Sequence, residues 1–315
     1  MTAVDWRTFL LPKLRALLAV VAILMGSLPL IGWIGGGIWW PLDLLNHLQV
    51  QYAVALLLMT LVLLCIKSRR AAIATGVLLL VPLGRIIPSH ISPQSVKPSG
   101  TPVRMVSFNV FVSNHRHQDT LDWIRKASPD FAYFTETTDS WARALEDLRD
   151  DYPHSIEEGT GFAFYSKLPI HSHEIIRCTD IEFPLLVARI ETANGLVTVL
   201  AVHPLPPISR HWSDALDETM AILAREVEQT TGPVILAGDF NATRWSAKSA
   251  PLRHAGLKDA SHGRAPGATW MRSNPLIAIP IDRLLYRGEG MHCDRFEIAP
   301  ELGSDHRPLI AEFIW

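Results

Sequence analysis

Residues 14–33, LRALLAVVAILMGSLPLIGW, carry one Arg at the entry and otherwise only apolar or small side chains. A helix of that length matches a hydrocarbon core about 30 Å thick, so the run constrains the fold more than any other feature. Two further runs follow, Val50 to Ile66 and Ala71 to Ile87, the latter weakened as a span by Arg85. A cleaved signal peptide is the competing reading of the first run. It is disfavoured because the run exceeds a usual apolar signal region, shows no small-x-small cleavage site and precedes two more spans. For the second and third runs, a buried helical hairpin of a water-soluble protein is the alternative.

Positive charges beside spans favour the cytoplasm. Arg7, Lys13 and Arg15 flank the start of the first run, and Lys67, Arg69 and Arg70 join the second to the third. The loop between the first two lacks Lys and Arg and contains Trp39 and Trp40, which suit an interfacial belt. These loops predict a multi-pass anchor over residues 1–88 in the inner (cytoplasmic) membrane, amino terminus inside, with the chain after Pro88 on the external, periplasmic side. Residues 89–102, rich in Pro and Ser, are predicted to be an extended linker.

The rest of the chain differs in charge. Before Thr101 there are eight Lys/Arg and two Asp/Glu, and from Thr101 onward 21 and 29, so a net +6 precedes a net −8. Cys65 lies in the second run, where it serves as a small apolar residue. Cys178 and Cys293 fall in the external region, where a disulfide is permitted, but two distant cysteines do not establish one.

From Val103 onward, short apolar runs alternate with helical segments. Residues 103–110, 131–136, 161–166, 185–191, 196–203, 234–240, 281–287 and 308–315 read as strands. Several of these do not alternate, as expected for strands buried on both faces. Segments 117–127, 139–149 and 212–229 read as helices, the last with Ser213 or Asp214 as its cap. The pattern predicts an α/β domain over 103–315 with mixed sheets.

Polar residues punctuate the strand ends. Asn109, Glu136 and His203 close three strands, and the stretch LAGDFNATRWS sets Asp239 and Asn241 at the end of a fourth. Asp282 opens a later strand, and GSDHRPL places Asp305 and His306 before the last. Strand ends of α/β folds gather at one edge, where loops form a binding crevice. Residues two apart on a strand also share a face, so Asp239 and Asn241 are expected to hold one water between them, with an Asx turn as the alternative.

In order, VSFNV, FTE, GFAFYSKLPI, VH, GDFNA, IDRLLY and GSDHRPL resemble the endonuclease/exonuclease/phosphatase superfamily. That resemblance implies a four-layer α/β sandwich that hydrolyses phosphate esters with a divalent cation, Mg²⁺ or Mn²⁺. It implies that Glu136 is a metal ligand, that Asn109 supports the metal or a phosphate oxygen, and that Asp305 is either a metal ligand or an orienter. Asp239 then orients or deprotonates the nucleophile, and Asn241 contacts a phosphoryl oxygen or fixes Asp239. Asp282 sets the tautomer of His306, and His203 stabilises the phosphoryl group or protonates the leaving oxygen. An aromatic residue or His usually follows the family's equivalent of Asp282; Arg283 stands there and is expected to alter the substrate while leaving the Asp282–His306 pair intact.

Arg244, Arg272 and Lys167 are either phosphate contacts or surface charge, and Thr269 and Trp270 either line the mouth or pack in the core. The remaining histidines show no zinc-ligand spacing. The expected partners are membrane lipids and a phosphorylated, preferably lipid-linked substrate, because a net −8 disfavours a polyanion. A membrane-anchored nuclease and a non-catalytic binding module are the alternatives. The topology is checked by alkaline phosphatase fusions: one at Ser99 should be active and one at Ser68 inactive, and the reverse would place the domain in the cytoplasm.

Overall fold

The computed structural model describes residues 6–91, 100–178, 184–264 and 267–315. Most of the expected linker, 92–99, lies outside them. The chain divides into two compact units, Met1–Ser89 with Trp245–Ala247, and His90–Arg244 with Lys248–Trp315. The expected catalytic domain over 103–315 is therefore interrupted by three residues that group with the first unit.

In that first unit, α1 (Trp6–Gly35), α2 (Gln49–Cys65) and α3 (Arg69–Ile86) are the main helices, with helical turns at Trp40–Asp43 and Leu44–Leu48. Three stretches, Leu10–Gly35, Trp40–Cys65 and Arg69–His90, are long and apolar enough to cross a membrane. Their core is small, centred on Ala22, Leu63 and Ala72, while Leu17, Trp33, Val54, Ile73 and Leu80 point outward. Apolar surface of that extent is costly in water and favourable in hydrocarbon. Arg85 does not disqualify α3, because its guanidinium bonds Asn46 Oδ1. Asn46 in turn donates to Asp43 Oδ1 at 2.8 Å and Gly32 O at 2.9 Å. Polar pairing of this kind lets an apolar helix carry a charge.

The second unit holds two six-stranded mixed sheets. One contains β1 (Val103–Asn109), β2 (Phe131–Thr135), β3 (His154–Glu158), β4 (Phe162–Ser166), β11 (His292–Ile298) and β12 (Leu309–Ile314), ordered β11-β12-β1-β2-β4-β3. The other contains β5 (Ile170–Arg177), β6 (Pro184–Thr192), β7 (Gly195–Val202), β8 (Val234–Asp239), β9 (Lys258–Asp259) and β10 (Asp282–Arg287), ordered β5-β6-β7-β8-β10-β9. Only β1–β2 and β7–β8 pair in parallel. Between the sheets lies one apolar cluster that includes Met105, Tyr133, Phe164, Val199, Leu284 and Phe313. On one outer face α4 (His117–Ala127) and α5 (Asp139–Leu145) supply Leu121, Ile124 and Trp141, and on the other α6 (Arg210–Gln229) supplies Leu216, Met220 and Leu223. The result is the four-layer sandwich expected from the sequence.

The four strands absent from the sequence reading, β3, β5, β9 and β11, are the four edges of the two sheets. Edge strands face water on one side and carry charge, as HSIEE and IHSHEIIR do, so their apolar signal is diluted. The cap of α6 also differs. Ser209 accepts from Trp212 N at 3.2 Å, so the helix begins before the expected Ser213. Cys178 and Cys293 are both free and buried, the first packed under α6 and the second between the sheets, so no disulfide joins them.

Two local features position the end of β8. Gly238 has φ +147°, and a Cβ there would meet Val202 O at 1.9 Å, so only glycine allows β7 and β8 to approach. Arg283 faces away from the strand-end edge. It donates to Asp259 Oδ2 at 3.1 Å and Ser249 Oγ at 3.0 Å, and its guanidinium lies over the Phe240 ring. Neighbours on a strand point to opposite faces and Asp282 takes the other one, so Arg283 leaves the Asp282–His306 pair intact, as expected. Arg244 joins the same cluster, 3.5 Å from Asp259 Oδ1, as structural charge rather than a surface residue.

Burial would raise the Asp259 pKa, but Arg244 and Arg283 outweigh it and hold the group at about 2. Burial lowers Arg283 to about 10, with Asp259 opposing. The carboxylate's stabilising charge, present above its ordinary 3.8, is lost only as pH falls through about 2. Asp259→Asn, which leaves two guanidiniums without their counter-charge, should destabilise this unit by about 3–5 kcal/mol, read as a lower unfolding midpoint by tryptophan fluorescence in detergent.

Candidate active site

The strand-end residues meet at one edge, where the two sheets converge. β1 ends at Asn109, and its amide nitrogen donates to Glu136 Oε1 at 2.8 Å, just past β2, and to Asp239 Oδ2 at 3.1 Å, at the end of β8. One side chain thus joins both sheets. Across β8 and β10, Asp239 pairs in register with Asp282, so both carboxylates lie on one face. His306, before β12, directs Nδ1 at both Asp282 oxygens, 2.9 and 3.0 Å away, and its Nε2 lies 3.7 Å from Asp239 Oδ2. His203 completes the ring with Nε2 3.5 Å from Asp239 and 3.7 Å from Glu136.

Asp239, Asp282, Asn109 and His306 are all buried. Burial alone would lower the His306 pKa, but the Asp282, Asp239 and Asp305 carboxylates prevail and push it up to about 10. The imidazole Nδ1 is committed to Asp282, which leaves its Nε2 edge turned toward the site.

Backbone strain collects here. Glu136, Asn241, Phe111 and Met271 adopt φ between +47° and +64°, a region that non-glycine residues seldom occupy. Each lies at the site or within two residues of it, and strain of this kind persists where surrounding structure enforces it.

Asn241 departs from the sequence expectation. β8 ends at Asp239, so strand alternation does not reach it; its backbone N donates to Asp239 Oδ1 at 2.9 Å in an Asx turn. Its side-chain amide donates to Pro204 O at 2.9 Å, which ties the loop after His203 to the end of β8. Asn109 Oδ1 accepts from Phe111 N at 3.0 Å, so Asn109 supports Glu136 with donors rather than presenting an oxygen to a metal.

Asp305 turns Oδ2 toward Trp270, whose Nε1 donates at 2.9 Å. Its Oδ1 is buried, accepts no hydrogen bond and stands 4.0 Å from His306 Nε2. Three carboxylates, Glu136, Asp239 and Asp282, therefore fall within the groups that meet at this edge, and the unpartnered Asp305 Oδ1 stands beside His306 at their margin. A hard-oxygen set of this kind fits a divalent cation such as Mg²⁺ or Mn²⁺. Among the described residues, the His, Asp and Glu groups close enough to share an ion are Glu136–His203–Asp239 and Asp239–Asp282–His306. Other histidines do not enter them, in keeping with the lack of zinc spacing.

Three residues make contacts that the sequence did not announce. Ser304 Oγ donates to Asn109 O at 2.8 Å and accepts from His306 N at 3.0 Å, which locks the last loop onto β1. Thr269 Oγ1 accepts from Asp282 N at 3.1 Å. Trp270 both bridges to His306 through the backbone and holds Asp305. For Ser304 adjacency was the available signal, since it sits inside GSDH. Lys167 is not part of the site; its Nζ bonds Ser128 Oγ at 2.6 Å. A cleft of about 230 Å³, lined by Tyr133, Thr135, Phe162, Arg177 and His203, opens beside His203.

This fold and this convergence define a phosphoesterase-type sandwich. Residues 106–306 match the Endonuclease/Exonuclease/phosphatase family, and the chain belongs to it. Among solved structures, humanized D. rerio TDP2 is similar, with a TM-score of 0.58, 19% identity and coverage of 67% of this chain and 98% of that one. An endonuclease/exonuclease/phosphatase protein from Bacteroides vulgatus shows 0.58 and 17%, covering 68% and 98%. At these identities the likeness concerns the fold. A UPF0294 protein of Vibrio cholerae is 30% identical over 99 residues, 30% of this chain, and the match spans about a third of that relative's length.

The Trp270 contact generates a prediction. Trp270→Phe keeps the ring but removes the N–H that fixes Asp305. It should weaken Mn²⁺ binding by about 10-fold, since removing an outer partner typically costs 10–100-fold. Calorimetric titration of the full chain with Mn²⁺ checks this, and an unchanged affinity would leave Trp270 a packing residue.

Proposed function

We propose that this protein is a membrane-anchored, divalent-metal-dependent phosphoesterase that acts at the external face of the cytoplasmic membrane. Its preferred substrate class is a lipid-linked phosphate ester or pyrophosphate. The observation that carries the chemistry is the convergence of Asp239, the His306–Asp282 pair and Glu136 at one edge of the two sheets. Three candidate spans in the same chain support the anchor, and the loop charges support the orientation.

A phosphate diester or anhydride resists hydrolysis because its oxygens are anionic and its leaving group is poor, so a site must neutralise charge and aim water. Glu136 and Asp305 would hold Mg²⁺ or Mn²⁺, with Asn109 keeping Glu136 in place. When bound, the ion neutralises phosphoryl oxygens and stabilises the developing charge. Asp239, pinned through Oδ2 by Asn109 and through Oδ1 by Asn241 N, presents a fixed acceptor that orients the attacking water and takes its proton. His306 offers its Nε2 edge to the phosphoryl group, with Asp282 preventing rotation of the ring. His203, whose Nε2 lies 3.5 Å from Asp239 Oδ2 and 3.7 Å from Glu136 Oε1, would protonate the leaving oxygen.

Charge favours the lipid reading over the nuclease one. Non-specific nucleic-acid affinity comes largely from Lys and Arg displacing counterions, and the region from Thr101 onward carries 21 of these against 29 acids. A lipid headgroup presents only one or two phosphates, and an anchor confines enzyme and substrate to one surface. The D. rerio TDP2 complex with single-strand DNA product is the point of comparison for the alternative.

The test compares kcat/KM of the full chain on polyprenyl pyrophosphate in mixed micelles with that on duplex and single-stranded DNA at equal Mg²⁺. Faster turnover of the lipid is expected, and faster cleavage of DNA with a steep inverse salt dependence would favour the nuclease. His306→Ala should lower kcat by on the order of 10² to 10⁴ while sparing Mn²⁺ binding, and Glu136→Gln should weaken that binding. Wild-type turnover in His306→Ala would overturn the site assignment.

A further inference from the structure

Among the described residues after Thr101, five large apolar side chains are exposed: Val112, Leu196, Ile208, Leu276 and Ile277. Leu196 begins β7, at the end of that strand remote from His203. The other four lie on three loops that leave the catalytic edge directly. Val112 is three residues past Asn109, and its backbone N bonds Glu136 Oε2 at 3.3 Å. Ile208 is five residues past His203, on the loop whose Pro204 carbonyl is held by Asn241. Leu276 and Ile277 tip the loop after Trp270, which is fastened to the site where Met271 N bonds Asp305 O at 2.9 Å. Exposed apolar residues scattered singly are ordinary, but four on loops rooted in one site form a directed feature.

Charge on these loops is as uneven as hydropathy. Residues 110–116 (VFVSNHR), 203–211 (HPLPPISRH) and 270–279 (WMRSNPLIAI) contain no Asp or Glu, and each contains one Arg, in a region whose net charge is −8. Arg116 is paired with Asp119 and Glu301 beyond its loop, and Arg210 lies 3.6 Å from Asp214 with its side chain 83% exposed. Arg272 is exposed beside Met271. Apolar tips on loops that contain no acid, with Arg272 exposed beside one of them, match the boundary between acyl chains and anionic headgroups.

We infer that the loops bearing Val112, Ile208 and Leu276–Ile277 form a rim that seats in an anionic lipid surface, so that the catalytic edge opens onto the headgroup layer. The occupant is the bilayer itself. The rim deepens the lipid reading of the site, but its insertion is measured without reference to turnover, so either can fail alone. A rim of this kind explains why these apolar loop tips are left exposed, and it removes the need for a broad basic face. Substrate drawn up from the membrane would meet the carboxylate cluster at the root of these same loops.

The experiment uses the full chain in vesicles of phosphatidylcholine and phosphatidylglycerol, on a Cys65→Ser background in which Cys178 and Cys293 stay buried. An environment-sensitive fluorophore is placed in turn on Ile208→Cys, Leu276→Cys and the remote Leu196→Cys, and acyl-chain-brominated lipid serves as quencher. Labels at 208 and 276 should be quenched several-fold more than the label at 196, and the difference should shrink when phosphatidylglycerol is omitted. Equal quenching at all three positions, or none at 208 and 276, would overturn the rim. Shielding that scales with protein density in unbrominated vesicles would also overturn it, assigning these tips to contact between copies of the chain.

Discussion

One amide holds the catalytic edge together. The Asn109 side chain donates to Glu136 in one sheet and to Asp239 in the other, while its own carbonyl oxygen anchors the loop that follows β1. Without such a tie, the carboxylates at the meeting point of two sheets would repel one another in a medium of low dielectric. His306 supplies the second constraint. Gripped by Asp282 and fastened to β1 through Ser304, it sets an imidazole among the acids and fixes the last loop. The inter-sheet core sets the distance between the sheets, and these polar contacts set what the edge can do.

The site is strained in the places where it is polar. Glu136 and Asn241 hold left-handed backbone, and Gly238 admits a carbonyl that any side chain would exclude. Each deviation turns the chain sharply as it leaves a strand, bringing a functional group to the edge instead of continuing the ladder. The Asp259 cluster on the opposite face of β10 makes this possible, because it neutralises Arg283 beside Asp282 and keeps that charge off the catalytic face.

Much of this was legible in the linear chain. Three apolar runs announced the candidate spans, central strands showed as unbroken apolar stretches, and the strand-end residues were each identified with the edge they occupy. Edge strands were not legible, since HSIEE and IHSHEIIR face water and lack a buried run. The place of Arg283 was not legible either, because its role depends on which face of β10 it takes and on Asp259, 24 residues away. Likewise Asn241 lies one turn beyond the strand, where the period-two rule no longer applies.

The sequence by itself determined which segments are apolar enough to cross a membrane, which segments form the buried sheet strands, and which residue types stand at their ends. It could do so because hydropathy and strand periodicity are local properties, written in a few consecutive residues. Tertiary structure alone decided that Arg283 would turn to Asp259, that Trp270 would hold Asp305, and that Val112, Ile208 and Leu276 would stand on loops from one edge. Those facts depend on strand register and on packing between residues far apart in the chain, and no local pattern encodes either.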